Sequence, residues 1–260
     1  MTQVQTDVMD PARADALAAT LGISLRDPLP PYFHSIYFWD IVGLDDLGTD
    51  GHPKLGLHIP DLGYPRRMWA GGRLTWHAAL RAGQTAERRV RIDRVTEKQG
   101  RSGRFAIVTQ RIEVWQNGIL AIEEEKDLFY RPAAQPGEIT PSPPDAPGGD
   151  TLRTLAFTPT QLFRYSALTF NGHRIHYDQP FTDKDFSGPS HGLIVHGPLL
   201  AQYLMLAAEA ELGPLQHFTF QANAPVRQPE TVKVMQDGER FWIAGESGAL
   251  HMTATAKSHE

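Results

Sequence analysis

Two histidines stand three residues apart in the segment Arg164 to Asp178, RYSALTFNGHRIHYD, with Asn171, Arg174 and Asp178 among apolar and aromatic neighbours. Polar groups in apolar surroundings need partners and have shifted proton affinities, which is what acid/base chemistry exploits. His173 and His176 are therefore candidates for proton transfer; the plain alternative is a pair of hydrogen-bonded loop histidines. A His-x-x-His pair can also hold a metal. No third ligand follows at a telling spacing and the neighbourhood is not acidic, so no metal is expected.

A second candidate is His196-Gly197-Pro198, just ahead of a long apolar run. The unpaired N–H groups and positive dipole end of a helix start suit a developing negative oxygen, and glycine there lets a ligand come close. A third is PRRMWAGGR, Pro65 to Arg73, which puts Arg66, Arg67 and Arg73 around Trp69 and two glycines. Arginine suits bidentate recognition of a carboxylate, whereas the plain reading is a solvated basic turn. The run Glu123 to Asp127 and the stretch RRVRIDR read as exposed faces of strands, because alternation already explains them.

These residues need elements to position them. Pro11 to Leu21 has the Ala and Leu spacing of a short amphipathic helix, with Asp10 as N-cap and proline at the first helical position. Long alternating runs begin near Arg73, and Asn117-Gly118 between two of them is a hairpin signal, since both residues can take positive φ. Ala106, Val108, Gln110, Ile112 and Val114 make one buried face; Leu120, Ile122, Glu124, Lys126, Leu128 and Tyr130 make another. Prolines and glycines crowd 132–150, which reads as a surface linker between an N-terminal half, 1–131, and a C-terminal half, 151–260. In the second half Thr158-Pro159 opens a helix, and Val195 to Gly213 is apolar nearly all round, so it must be buried. Strands joined by tight turns at Asp237-Gly238 and Ser247-Gly248 follow it. A long buried helix followed by an antiparallel meander is the order expected when a sheet wraps a central helix, the hot-dog arrangement.

The chain has 260 residues, of which 41% are hydrophobic and 21% charged, enough for a sizeable core in a globular protein. It contains no cysteine, which removes disulfides, thiolate zinc sites and thiol nucleophiles together. A net charge of -5 gives no footprint for polyanions, so no nucleic-acid partner is expected. No signal-like start and no apolar stretch of membrane-spanning length is present, so a cytoplasmic protein without a membrane partner is expected.

Residues Arg164 to Asp178, GLIVHGPLLAQYL and PRRMWAGGR together resemble the MaoC-like hydratases and dehydratases of the hot-dog superfamily. They are most similar to the double-hot-dog branch of 3-hydroxyacyl-thioester dehydratases and mesaconyl-C4-CoA and itaconyl-CoA hydratases. The resemblance runs from about Pro65 to the C-terminus. It implies an α+β double hot-dog, two antiparallel sheets each wrapped around a central helix, with the N-terminal repeat degenerate. In the MaoC pattern an Asp is followed two residues later by Asn, then Pro, an aliphatic residue and His. Laid on this chain, the histidine falls on His176, while Asn171 stands at the aspartate. An amide cannot take a proton at neutral pH. Either His176 carries the proton transfer with Asn171 as a positioner, or Asp178 supplies the carboxylate. The first is favoured, because the branch resembled carries the same TFN-x-H-x-IHYD type of segment.

The resemblance thus implies hydration of an enoyl-CoA thioester, with His176, Asn171 and the Gly197 N–H as catalytic groups. Arg66, Arg67, Arg73, Trp69, Tyr165, His173 and His196 are the expected substrate-binding residues. The arginines would meet the free carboxylate of a mesaconyl or itaconyl unit, or CoA phosphates. No cofactor is expected beyond the CoA of the substrate. Two units in one chain permit a monomer, and a homodimer is equally compatible. A hot-dog thioesterase is the runner-up, but such enzymes place an acidic residue near the start of the central helix, where this chain has none; a non-catalytic acyl-thioester binder is the third reading.

Overall fold

A computed structural model of the chain describes residues 2–100, 103–132, 142–185 and 192–259. In the N-terminal half, β1 (Gln3–Asp7) and α1 (Pro11–Leu21) precede four long strands: β2 (Arg66–Trp76), β3 (Ala86–Gly100), β4 (Gly103–Gln116) and β5 (Ile119–Arg131). In the C-terminal half, β6 (Asp150–Ala156), α2 (Pro159–Leu168), α3 (Gln179–Asp185) and α4 (Gly197–Leu212) precede β7 (Leu215–Ala222), β8 (Thr231–Asp237), β9 (Arg240–Gly245) and β10 (Leu250–Ser258). Of the expected linker, 133–141 lies outside the described residues; 142–149 is irregular apart from a bridge between Asp145 and Ala249.

The strands form one sheet of order β1-β3-β4-β5-β2-β7-β10-β9-β8-β6. Read outward from the centre, the halves repeat each other: β2, β5, β4, β3, β1 on one side and β7, β10, β9, β8, β6 on the other. This is two hot-dog half-sheets sharing an edge, through the antiparallel pair of β2 and β7. Glycine makes that seam possible. A Cβ on Gly71 would lie 2.4 Å from the Phe220 carbonyl oxygen, and one on Gly72 would lie 2.8 Å from the Phe220 ring.

Local chemistry accounts for the boundaries. The Asp10 side chain accepts from the Ala12 N–H at 2.9 Å, proline follows at the first helical turn, and Gly22 closes α1 in the left-handed region at φ 69°. The Thr158 hydroxyl accepts from the Gln161 N–H at 3.2 Å to start α2. Asn117 and Gly118 take φ values of 53° and 76°, the turn that lets β4 and β5 pair as a hairpin.

The halves differ in what covers the sheet. Helix α4 buries Leu199, Leu200, Leu204 and Met205 against β7 to β10, each side chain stabilising by about 1.5–3 kcal/mol. The N-terminal half has no long helix between β1 and β2. There Leu55, Ile59, Leu62 and Tyr64, from an irregular segment, pack over Ala106, Val108, Leu128 and Tyr130. No helix among the described residues is long and apolar enough to cross a membrane.

The acidic run is not all exposed but divides by the alternation of β5. Glu123, Glu125 and Asp127 do pair outward, with Arg111 and Arg73. Glu124, by contrast, points inward at 5% exposure, where it meets His34 at 3.3 Å. A carboxylate buried on the inner face is tolerated because His34 arrives from a 3-10 turn at Phe33–Ile36 to partner it.

Candidate active site

The segment after α2 ends in a 3-10 turn, Arg174–His176, that carries His176 under the start of α4. Its Nδ1 lies 2.7 Å from the Ile194 carbonyl oxygen. A carbonyl only accepts, so Nδ1 bears the proton and Nε2 keeps the lone pair a base needs. Burial pushes the ring's proton affinity down to about 4, against the Ile194 carbonyl, which raises it. His176 is thus neutral at ordinary pH.

Its imidazole stacks on His196 at 3.6 Å between centroids and 18° between planes. His196, the N-cap of α4, is fully buried, bonded through Nε2 to the Ser166 hydroxyl at 2.8 Å, and held neutral by burial and by His176 and His173. Its side chain makes no hydrogen bond to the first turn of α4. The indole of Trp69 covers this helix start: a Cβ on Gly197 would lie 2.7 Å from Trp69 Cε3. The indole also packs on Phe220 at 4.6 Å, and its buried Nε1 has no hydrogen-bond partner among the described residues.

His173 stands edge-on to His176 at 5.4 Å, and its proton affinity is driven to about 2 by burial and by His52 and His176. Its backbone N–H donates to Asn171 Oδ1 at 3.0 Å, so the amide oxygen of Asn171 is already engaged. Asp178 is turned to Arg174, which donates to it from Nε at 3.0 Å and Nη2 at 2.7 Å, and it caps the Phe181 N–H at 3.1 Å. It is spent on structure and does not stand with the histidines.

The N-terminal half contributes residues that the sequence reading missed. The loop containing Asp50 and His52 docks on 171–174: the Arg174 N–H donates to the Asp50 carbonyl at 2.8 Å and its Nη1 to the Thr49 carbonyl at 2.9 Å. Gly51, at φ 84°, allows the approach, since a Cβ there would lie 2.0 Å from the Gly172 carbonyl oxygen. The His52 ring reaches 4.0 Å from His173 and bonds Asp50 at 3.2 Å. The only signal in the sequence was an Asp-Gly-His turn far from the histidine-rich segment, and nothing in one dimension joins the two. Asp50, His52 and His173 bring one ligand atom each to within 4.8 Å of one another. Asp50 and His52 already hydrogen-bond each other and the charge of Arg67 bears on all three residues, so we assign no metal centre to them.

The arginine motif splits. Arg67 and Trp69 face the site; Arg67 also braces the loop by donating to the Pro53 carbonyl at 3.1 Å. A bulge between Trp69 and Gly71 then inverts the alternation of β2. Arg73, of the same parity as Arg67, is therefore carried to the outer face, where it pairs with Glu125 and Asp127 at 2.7 and 2.9 Å. Arg66 lies on the face away from Arg67, opposite Arg131. Tyr165, at 1% exposure, is a core residue packed edge-on to His196. The structure therefore corrects Arg66, Arg73, Tyr165 and His196 as substrate contacts. It brings together His176, His173, Asn171, Gly197, Trp69 and Arg67, and adds Asp50 and His52.

Residues 32–228 match the family model described as hydroxyacyl-thioester dehydratase type 2. The chain is 42% identical to the mesaconyl-C(4)-CoA hydratase of Chloroflexus aurantiacus over 98% of its own length and 94% of that protein's. Among solved structures it resembles HtdX of Mycobacterium tuberculosis, with a TM-score of 0.71 at 19% identity over the whole of both chains. It also resembles a second M. tuberculosis protein described as a double hotdog fold, with a TM-score of 0.56 at 14% identity over 98% of this chain and 95% of that one. These two structural likenesses bear on fold.

Proposed function

The chain belongs to the hydroxyacyl-thioester dehydratase type 2 family, and from that membership we propose a hydro-lyase that adds water reversibly across an enoyl-CoA double bond. The substrate we favour is a C4-dicarboxyl enoyl-CoA such as mesaconyl-C4-CoA, giving citramalyl-CoA, as the 42% identical relative's name suggests. The observation that carries the reading is a buried, neutral His176 with Nδ1 committed to Ile194, stacked on the residue that caps α4.

Water attacks the β-carbon as His176 Nε2 takes its proton. Negative charge moves to the thioester oxygen, where the Gly197 N–H and the dipole of α4 receive it. The same imidazolium then returns the proton to the α-carbon, so water is added and His176 is restored. An aligned oxyanion donor is worth ~3 kcal/mol and a general base ~10²- to 10⁴-fold in rate. Arg67, on the site side of β2, is the arginine we assign to the free carboxylate. No cofactor enters this scheme. Both half-sheets lie in one chain, so a monomer suffices for it.

Thioester hydrolysis is disfavoured by the first turn of α4, which has no acidic residue. The test is to incubate the protein with crotonyl-CoA, mesaconyl-C4-CoA and itaconyl-CoA while recording enoyl absorbance and free thiol. Absorbance loss without thiol is the expected result. Thiol release, or no change in either signal, overturns it. His176→Ala should fold and lose at least a hundredfold in kcat; full activity in that variant removes the site assignment.

A further inference from the structure

Under α4 the inner face of the sheet is apolar, with Phe218, Phe220, Phe241, Ile243 and Met252 all buried. The same face of the N-terminal half is not. There β5 turns Glu124, Lys126, Leu128 and Tyr130 inward by alternation, so a carboxylate and an ammonium stand where the other half keeps apolar groups. Charge in such a place is costly unless it is paired. The carboxylates whose charges bear on Lys126 or Arg67 already have partners: Glu124 meets His34 at 3.3 Å, Asp40 pairs with Arg88, and Asp50 bonds His52 at 3.2 Å. Lys126 itself, half-buried, makes no hydrogen bond and no ion pair among the described residues. Burial and the charges of Arg88 and Arg67 lower the proton affinity of its ammonium, against Glu124 and Asp40, which raise it.

Lys126 stands beside the site. It shares a rung of the sheet with Gly72 of β2 and, beyond that, Phe220 of β7, whose ring fills the place of the side chain that Gly72 lacks. Phe220 packs on Trp69, the indole over the start of α4. Arg67 and Lys126 flank the rung of Trp69 and Leu128, one on either side. Burial lowers the proton affinity of His52, and the charges of Arg67 and Lys126 both lower it further, so the two cations act on the same corner of the site. Resting on the function proposed above, we infer that Lys126 is the second cation for the free carboxylate of the substrate, closing with Arg67 on a C4-dicarboxyl acyl group. In mesaconyl-C4-CoA that carboxylate is borne by the β-carbon, the atom that water attacks. Two cations beside it hold the acyl group and offset the repulsion between the carboxylate and the incoming oxygen. An uncharged acyl chain would leave both cations covered and unpaired, so the pair also selects against such chains.

The test sets wild type beside Lys126→Gln, Lys126→Met and Lys126→Arg. Succinyl-CoA and butyryl-CoA lack the double bond and differ only in a carboxylate or a methyl on the β-carbon; calorimetry gives the Kd of each. Mesaconyl-C4-CoA and crotonyl-CoA form the matching reactive pair, compared by kcat/KM. Wild type should bind succinyl-CoA about tenfold or more tighter than butyryl-CoA. Lys126→Gln and Lys126→Met should lose most of that preference, and their kcat/KM should fall about tenfold further on mesaconyl-C4-CoA than on crotonyl-CoA. Lys126→Arg should recover both ratios. Each ratio is taken on one preparation, so a lysine that only steadies Glu124 would lower both members of a pair alike. That outcome, or a wild type that does not tell succinyl-CoA from butyryl-CoA, overturns the inference. If Lys126→Gln does not fold, Lys126→Met, which keeps the apolar stem, carries the comparison. Failure of wild type to hydrate any enoyl-CoA defeats the proposed function instead, while the affinity ratio still reads the cation pair.

Discussion

In the stacked pair His176 and His196, both rings are spoken for at one nitrogen: His196 bonds Ser166 through Nε2 and His176 bonds the Ile194 carbonyl through Nδ1, which leaves His176 Nε2 for the role proposed for it. Neutrality of these rings is a stability property as well. His176, His173 and His196 all have proton affinities lowered in the fold, so the unfolded chain, at about 6.5, binds protons first. Their contribution is therefore complete above about pH 6.5 and is lost as pH falls through the window down to 4 and below. Each costs roughly 1.4 kcal/mol per pH unit within that window. Calorimetric melting between pH 7 and pH 4.5 should show a steep fall in Tm, and a flat Tm there would mean the rings are solvated. Asp50, whose affinity is lowered from 3.8, adds its loss only below about pH 4.

At the scale of elements, the junction of β2 with α4 is the tightest fit in the site. Trp69 lies against Gly197 with no space for a methyl group, so Gly197→Ala must displace the indole from the helix start. The expected outcome is a kcat lowered about ten- to a hundredfold, partly recovered in Gly197→Ala with Trp69→Leu; steady-state kinetics showing no loss would remove Gly197 from the oxyanion role. This is also where the sequence could be read in part. Helix α4 was legible from its apolarity and α1 from its cap, because those signals are local. The bulge in β2 was not, and it alone decides that Arg67 meets the site while Arg73 pairs with Glu125 and Asp127. Nor was the place of Asp50 and His52, since their partners Gly172 to Arg174 lie more than a hundred residues on. His34 with Glu124 is the same case: alternation turned Glu124 inward, and only the fold showed what it meets.

At the scale of the molecule, the seam between β2 and β7 binds two half-sheets that neither half can finish alone. Separating residues 1–132 from 142–260 would leave both seam strands as bare edges and strip the Asp50 loop from the histidines. Each piece expressed singly should be poorly soluble and inactive, and co-expression should restore hydration. Full activity from 142–260 alone would show that the first half serves only as a scaffold.

The unequal cover of the two halves gives that seam its purpose. A sixteen-residue rod such as α4 fixes its own course and lies along the sheet of its own half. Where the rod is missing, the chain is free to wander, and it spends that freedom twice: its later stretch roofs over its own strands, and its earlier stretch leans across to dock on the histidine-bearing segment of the other half. A duplicated architecture has in this way become a division of labour, with one copy keeping the rigid floor and the other lending its slack.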